Sequence, residues 1–565
     1  MNNPARNLIL ALLMYPLVAQ ADIKFDTSYV QKGSAAYGRF KDYVDAAVRH
    51  PSDPGYGFTA TDAAFMYRLT GEKPYCALAV QLVDDQVGAA EAANSARKQP
   101  AVADDSYLQA GPMIRDLAFT YDWCAPLATA QQRSRWSAYA EQTVWNIWHN
   151  IRAVWGGRLS PWTGWSTSNP ANNYYYSFLT ATMSWALATS DAEQRATWMA
   201  LLRDDKIPSL EKYFAALPGG GSEEGTGYGI SHRTVFMLYR LWRDNTGEDL
   251  ANANSHLNDS IYYWIHATLP TLDRVAPIGD QARVSVPVIY DYHRTLMLEA
   301  RILTRDVRAK SAASWWLNHI SVERMTNAFN DRYDLLPAGS DGTPPAQLIY
   351  AARGVGRLFA RTGWDRGAMW LAFAAGPYNE SHAHQDQGSF TLFEGDWLAV
   401  TENIWSHSGI QQGTEVNNML RFVRGGKIVP QRTGTTSTLT ITRGNPATGE
   451  LHATANLTPA YRGANSGVAH WQRTIDFADR SLTVHDTFAT DADTHAVFQL
   501  NVPGKPTVNG HAIQAGRLHV NVLSPADATI RLVDWSQQDK DYNSGWRIDI
   551  EGSGNEFLVE LKSSR

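Results

Sequence analysis

Between about residues 36 and 330, apolar side chains recur every three to four positions, in stretches separated by breaks rich in Gly, Pro and Asp. That period predicts helices over 107–122, 131–150, 171–189, 235–245, 255–268 and 290–305. Residues 334–345 are rich in Pro and Gly and read as a linker. Beyond them the period shortens to two. Alternating runs at 436–443, 451–457, 474–477, 482–486, 497–502, 530–533 and 557–561 predict an antiparallel β-sandwich. At 565 residues the chain is too long for a single core, and the two textures predict a helical domain over 22–340 and a β domain over 346–565. Helix pairs at this spacing can close into a ring or a bundle, and the period does not choose between them.

Hydrophobic content of 44% and charged content of 19% describe an ordinary globular protein. Residues 1–21 read as a secretory signal: Arg6, an apolar run over 8–18, then Ala19-Gln20-Ala21 as the cleavage site. The run is too short to span a bilayer, so a mature protein starting near Asp22 in the periplasm or outside the cell is expected. In that oxidising setting Cys76 and Cys124 can form one disulfide or remain two buried thiols. A formal net charge of −6 with no basic run argues against nucleic acid, and leaves local donors to hold any anionic substrate. The 20 Trp and 25 Tyr suit sugar stacking and helical cores alike, and most of those on the helical faces read as packing.

Candidate chemistry concentrates in 381–390, Ser-His-Ala-His-Gln-Asp-Gln-Gly-Ser-Phe. On an extended strand His382, His384 and Asp386 would share one face, and residues 388–400 would follow as two strands around a turn. Such a polar row is a candidate metal or acid–base site.

This segment resembles the His-x-His-x-Asp-x-Gly-Ser-Phe signature of the heparinase II/III-like polysaccharide lyases. The approach runs 361–365 (Arg-Thr-Gly-Trp-Asp) and 369–377 match as well, as does the upstream Glu224-Gly225-Thr226-Gly227-Tyr228. The resemblance covers about residues 110–490. It implies an incomplete (α/α) toroid followed by an antiparallel β-sandwich that contributes His382 to the cleft. It also implies β-elimination of a uronic-acid polysaccharide, in which a base takes the proton beside the carboxylate while donors neutralise the growing charge.

Carried over residue by residue, the resemblance makes Tyr228 the base, the acid or both, with His382 as its helper. Asn173 becomes the carboxylate neutraliser at a helix start, with Asn172 close behind; the family's commoner Asn-His is here Asn173-Tyr174. Asp280, in Pro277-Ile278-Gly279-Asp280, can orient a histidine or arginine or cap a turn. His232, four residues after Tyr228, can share its helical face. Arg361, Arg283, Trp162, Trp165 and Glu224 complete the substrate-binding candidates. Family members with structural zinc use the second signature histidine, a later aspartate and a His-Asn pair. Here only His384 matches, because Thr401 and Asn417 occupy the other places. No cofactor is expected, and hydrogen bonds among these three residues are expected instead of zinc. The rival readings are a glycoside hydrolase using Glu224 and Asp280, and a non-catalytic glycan-binding protein.

Overall fold

The computed structural model describes residues 22–280, 287–322, 332–462 and 466–564. The signal-like run 1–21 and Arg283 lie outside them. The last long helix, Val307–His319, is followed by strands from Ile349–Ala352 onward. This is the order of helices and strands that the two periods predict.

The helices stand in two layers. Ala60–Thr70, Ala110–Trp123, Asn173–Ala188, His232–Thr246 and Asp291–Leu303 contact one another in succession as an inner row. Lys73–Ser95, Ala130–Trp148, Ala192–Leu201, His256–Ala267 and Val307–His319 pack outside. This is an incomplete toroid, and side-chain size explains its layers. Trp136, Trp185, Trp242, Trp264 and Trp316 are fully buried between helices, as the packing reading expects. The inner helix Asn173–Ala188 is buried on nearly every face from Tyr175 on, so its apolar pattern is continuous and not amphipathic. Its Ser177 Oγ accepts from Gly111 N at 2.9 Å and donates to Leu108 O at 2.6 Å, fixing it against Ala110–Trp123. Asp334 binds Arg294 at 3.0 Å and Arg39 at 3.3 Å, joining the inner helix Asp291–Leu303 to the helix Ala35–Arg49. Cys76 and Cys124 form a disulfide between the outer helix Lys73–Ser95 and the end of Ala110–Trp123. No helix among the described residues is long and apolar enough to cross a membrane.

The β half contains an eight-stranded sheet and two five-stranded sheets, with every strand pair antiparallel. The first five-stranded sheet runs Ile349–Ala352, Arg357–Arg361, Trp370–Ala374, Phe390–Glu394 and Asp396–Ala399 in sequence order. Its face meets the toroid, and Ala352, Phe359, Trp370 and Phe393 belong to the same apolar core as the helices.

Arg361 is a pin in this interface and not a substrate-binding residue. It is fully buried, donates to His266 O at 3.0 Å and Thr268 O at 2.6 Å, and stacks 4.0 Å from the Trp364 ring. Burial pushes its guanidinium down to about 9. The sequence expectation fails because a guanidinium whose Nη2 is held by two carbonyls at a helix end can sit in a core as well as in a cleft.

Candidate active site

Two close backbone crossings build the site. Gly225 has φ +88°, and a Cβ there would lie 2.2 Å from Ile278 O. Gly279 has φ +70°, and its Cβ would lie 2.4 Å from Glu224 O and 3.0 Å from His382 O. Only glycine allows three segments to approach so closely. Thr226 N donates to Ile278 O at 2.7 Å, and Asp280 N donates to His382 O at 2.9 Å. The motifs at 224–228, 277–280 and 381–390 therefore meet at one point.

The histidines do not stand on a strand. Residues 380–389 form turns, with Ala383 N bonded to Glu380 O and Ser389 N to Asp386 O, and strand Phe390–Glu394 begins afterwards. Asp386 leaves the expected row and pairs with Arg357 at 2.8 Å. His382 and His384 nevertheless converge on one carboxylate. Asp280 Oδ2 lies 3.0 Å from His382 Nδ1, and Oδ1 lies 2.8 Å from His384 Nε2. Gln412 Nε2 donates to both oxygens, at 3.2 and 3.4 Å, and to Ser381 O at 2.8 Å. Burial alone would raise the Asp280 carboxyl, but these hydrogen bonds outweigh it and hold it below its ordinary value. A carboxylate only accepts, so His382 carries its proton on Nδ1 and turns Nε2 to the other side. Asp280 thus orients two histidines and has no oxygen left for substrate. Gln412 gave no sequence signal.

The His382 ring lies flat on Tyr228, with centroids 3.6 Å apart and planes 7° from parallel. In a parallel stack the in-plane hydrogen bonds of the two rings point past each other, so each is left to address a third group. Tyr228 also lines a cavity of about 320 Å³ inside the toroid, together with Asn173, Arg115, Arg233, Ser231 and Tyr333. Asn173 Oδ1 is buried without a hydrogen-bond partner.

Asn172 is almost fully buried and does not line this cavity. It caps its helix by accepting from Tyr174 N at 3.2 Å, and its amide donates to Glu224 Oε1 at 3.3 Å and Glu380 Oε2 at 3.5 Å. Asn169 Nδ2 adds 3.0 Å to Glu380 Oε1. Glu224 is completely buried, and its carboxyl is pushed up to about 8 by burial, then by the charges of Glu380 and Asp280, against the backbone N–H of Asn173, which lowers it. Glu224 therefore keeps its proton at neutral pH. Glu380, which binds both asparagines, was not singled out in the sequence, although it stands two residues before His382.

Glu224 and Asp280 do not form a hydrolase pair. Both are buried, and Asp280 is spent on two histidines, whereas hydrolysis needs two carboxyl groups flanking the substrate. His232 leaves the site as well. It is 1% exposed, sits among Tyr176, Phe214 and His256, and burial lowers its pKa to about 3. Trp162 packs on Tyr107 and Phe178 and donates to Asn146 O at 2.9 Å, so it is a packing residue. Trp165 is 47% exposed, on the loop that leads to Asn169.

A tetrahedral zinc does not fit these residues. His384 Nε2 is turned to Asp280, Thr401 caps the turn Glu402–Trp405, and Asn417 Nδ2 donates to Gly413 O at 3.1 Å. The expected bonds among the three do not form, because His384 is drawn across the domain boundary. Among the described residues no three His, Cys, Asp or Glu side chains are grouped to hold a metal.

No family model matches the chain. Over 142 residues it is 27% identical to the heparin-sulfate lyase of Pedobacter heparinus, a match spanning 25% of this chain and 20% of that protein. The crystal structure of heparan sulfate lyase HepC from Pedobacter heparinus superposes with a TM-score of 0.58 at 15% identity, covering 95% of this chain and 85% of that one. A heparinase III structure gives 0.59 at 12% identity, covering 89% and 75%. The Streptomyces coelicolor A3 chondroitin AC lyase in complex with chondroitin sulphate gives 0.51 at 11% identity, covering 95% and 81%. The chain has the fold of these lyases, a helical toroid joined to antiparallel β-sheets.

Proposed function

We propose that the protein is a polysaccharide lyase that cleaves a uronic-acid polysaccharide by β-elimination. The observation that carries this reading is the Tyr228–His382 stack, anchored by Asp280, with Tyr228 and Asn173 lining the same cavity. In the proposed reaction Asn173 donates to the uronate carboxylate, whose charge grows as the neighbouring carbon loses its proton. Tyr228 or His382 takes that proton. The glycosidic bond on the next carbon breaks, its electron pair stays with the leaving oxygen, and a carbon–carbon double bond forms. A proton from the same pair of side chains completes the leaving hydroxyl.

A free phenol, with a pKa near 10, is a weak base at neutral pH. In this reading the nearby imidazole, with its Nδ1 proton held by Asp280, keeps Nε2 unprotonated and able to act as a base beside the phenol. The signal-like run and the Cys76–Cys124 disulfide favour a periplasmic or extracellular setting. Incubating purified protein with alginate, glucuronan, glycosaminoglycans, ulvan and gellan tests the reading. Ultraviolet-absorbing unsaturated ends support it, and reducing ends without that absorbance would establish hydrolysis.

A further inference from the structure

Gln412 holds the histidine turn at both ends. Its side-chain NH2 has two hydrogens; one meets Ser381 O at 2.8 Å, which leaves the other to the two Asp280 oxygens, 3.2 Å from Oδ1 and 3.4 Å from Oδ2. Its own carbonyl accepts from Gln385 N at 3.0 Å. Ser381 and Gln385 flank His382 and His384, so one residue fixes both the turn that presents the histidines and the carboxylate that receives them. A donor set between both oxygens also resists rotation of the carboxylate, which would carry Oδ2 away from His382 Nδ1.

The segment that carries Gln412 has no ladder of its own. Residues 407–413 form neither helix nor strand, and Ile410 is 37% exposed. Asp541, on the connection between the strands Thr529–Asp534 and Trp546–Glu551, pins it. Asp541 Oδ2 accepts from Gln411 Nε2 and Ser408 Oγ, both at 2.6 Å, Oδ1 accepts from Ser408 N at 3.1 Å, and the Asp541 carbonyl accepts from His407 N at 2.6 Å. Asn403 closes the segment from within, accepting from Gln411 N at 2.9 Å and donating to Gly409 O at 3.0 Å. Gln411 is thus held through backbone and side chain, and the next residue reaches Asp280 with little freedom left.

We infer that Gln412 is a positioning residue for His382 and that Asp541 is the anchor that keeps it in place. The inference rests on the proposed role of His382, and extends its support from Asp280 to a connection between two late strands of the chain. Neither residue touches the reacting atoms. Without Gln412 the carboxylate is free to turn, and the His382 proton is no longer confined to Nδ1.

Gln412→Met keeps the length of the side chain and removes its amide. Nitrogen-15 spectra of histidine-labelled protein, with His382→Ala to assign the signal, read the tautomer without any substrate, and product absorbance gives kcat and KM. The unaltered protein is expected to show one form of His382, protonated on Nδ1. Gln412→Met is expected to show both tautomers, with kcat lower by about 10-fold or more and KM little changed. Asp541→Asn, which sets an NH2 among donors, should move both readouts the same way but less far. A Gln412→Met protein that keeps one tautomer and its kcat would overturn the inference even if it melts earlier, because the residue would then be structural only. Unaltered values in Asp541→Asn beside a changed Gln412→Met would overturn the anchor. If Gln412→Met fails to fold, Gln412→Asn, shorter by one methylene, is judged by the same criteria. Mixed tautomers without unsaturated products from any uronate glycan would sink the lyase reading and leave the positioning of His382 standing.

Discussion

His382 is held by Asp280 at its edge and by Tyr228 across its face, 3.0 Å from the carboxylate and 3.6 Å between ring centroids. The two contacts fix both the tilt of the imidazole and its tautomer. Tyr228→Phe keeps the stack and removes one hydroxyl. Turnover is expected to fall at least about 100-fold, with the fold and sugar binding retained. Near-normal turnover in the folded variant would remove the phenol from the mechanism.

Asp280→Asn exchanges an acceptor pair for one acceptor and one donor. The variant can no longer hold both histidines, and kcat is expected to drop by about 100-fold or more with a smaller change in KM. His382→Ala should lose activity far more than His384→Ala, because Asp280 still has His382 and Gln412 when His384 is absent. Thermal melts beside the kinetics check this: His384→Ala should lose chiefly melting temperature. Equal kinetic losses would show that the two histidines act as one unit.

Glu224 predicts a pH dependence of stability. Its folded carboxyl, raised to about 8 from 4.5, binds a proton that the unfolded chain has released above pH 4.5. Stability therefore declines as pH rises from about 4.5 to 8, by a few kcal/mol in all. Glu224→Gln mimics the protonated acid and should flatten that slope while leaving turnover at pH 7 nearly intact. Denaturant titrations of both proteins across this range measure it, and parallel curves would mean that Glu224 is charged in the folded state.

Arg361→Ala strands the carbonyls of His266 and Thr268 in the interdomain core. A loss of about 3 kcal/mol is expected, without a rise in KM for the folded fraction. A KM effect at unchanged stability would return Arg361 to the substrate.

The order of helices and strands was legible because period and punctuation are local. The three motifs were legible as residue types, but their meeting was not, since it depends on Gly225 and Gly279 bringing distant backbones together. His232 was misplaced for a definable reason. The helix Gly225–Gly229 ends before the helix His232–Thr246 begins, so the phase that would set His232 on the face of Tyr228 is broken. The strand expected at 382–386 fails because the segment turns back on itself to give two side chains to Asp280. Glu380 and Gln412 could not be ranked, because long-range partners give them their meaning.

The bond from Asp280 N to His382 O links residues about a hundred positions apart, one in each half of the chain. Such a centre is a late event in the life of the polypeptide. While the chain is being made, Tyr228 and Asn173 can already be folded into their ring, yet the imidazole that completes them has not been synthesised. The proposed activity would then switch on in one step, when the second half docks. A protease cut between the halves that lets the sheets leave would switch it off just as abruptly, with the helical ring still intact.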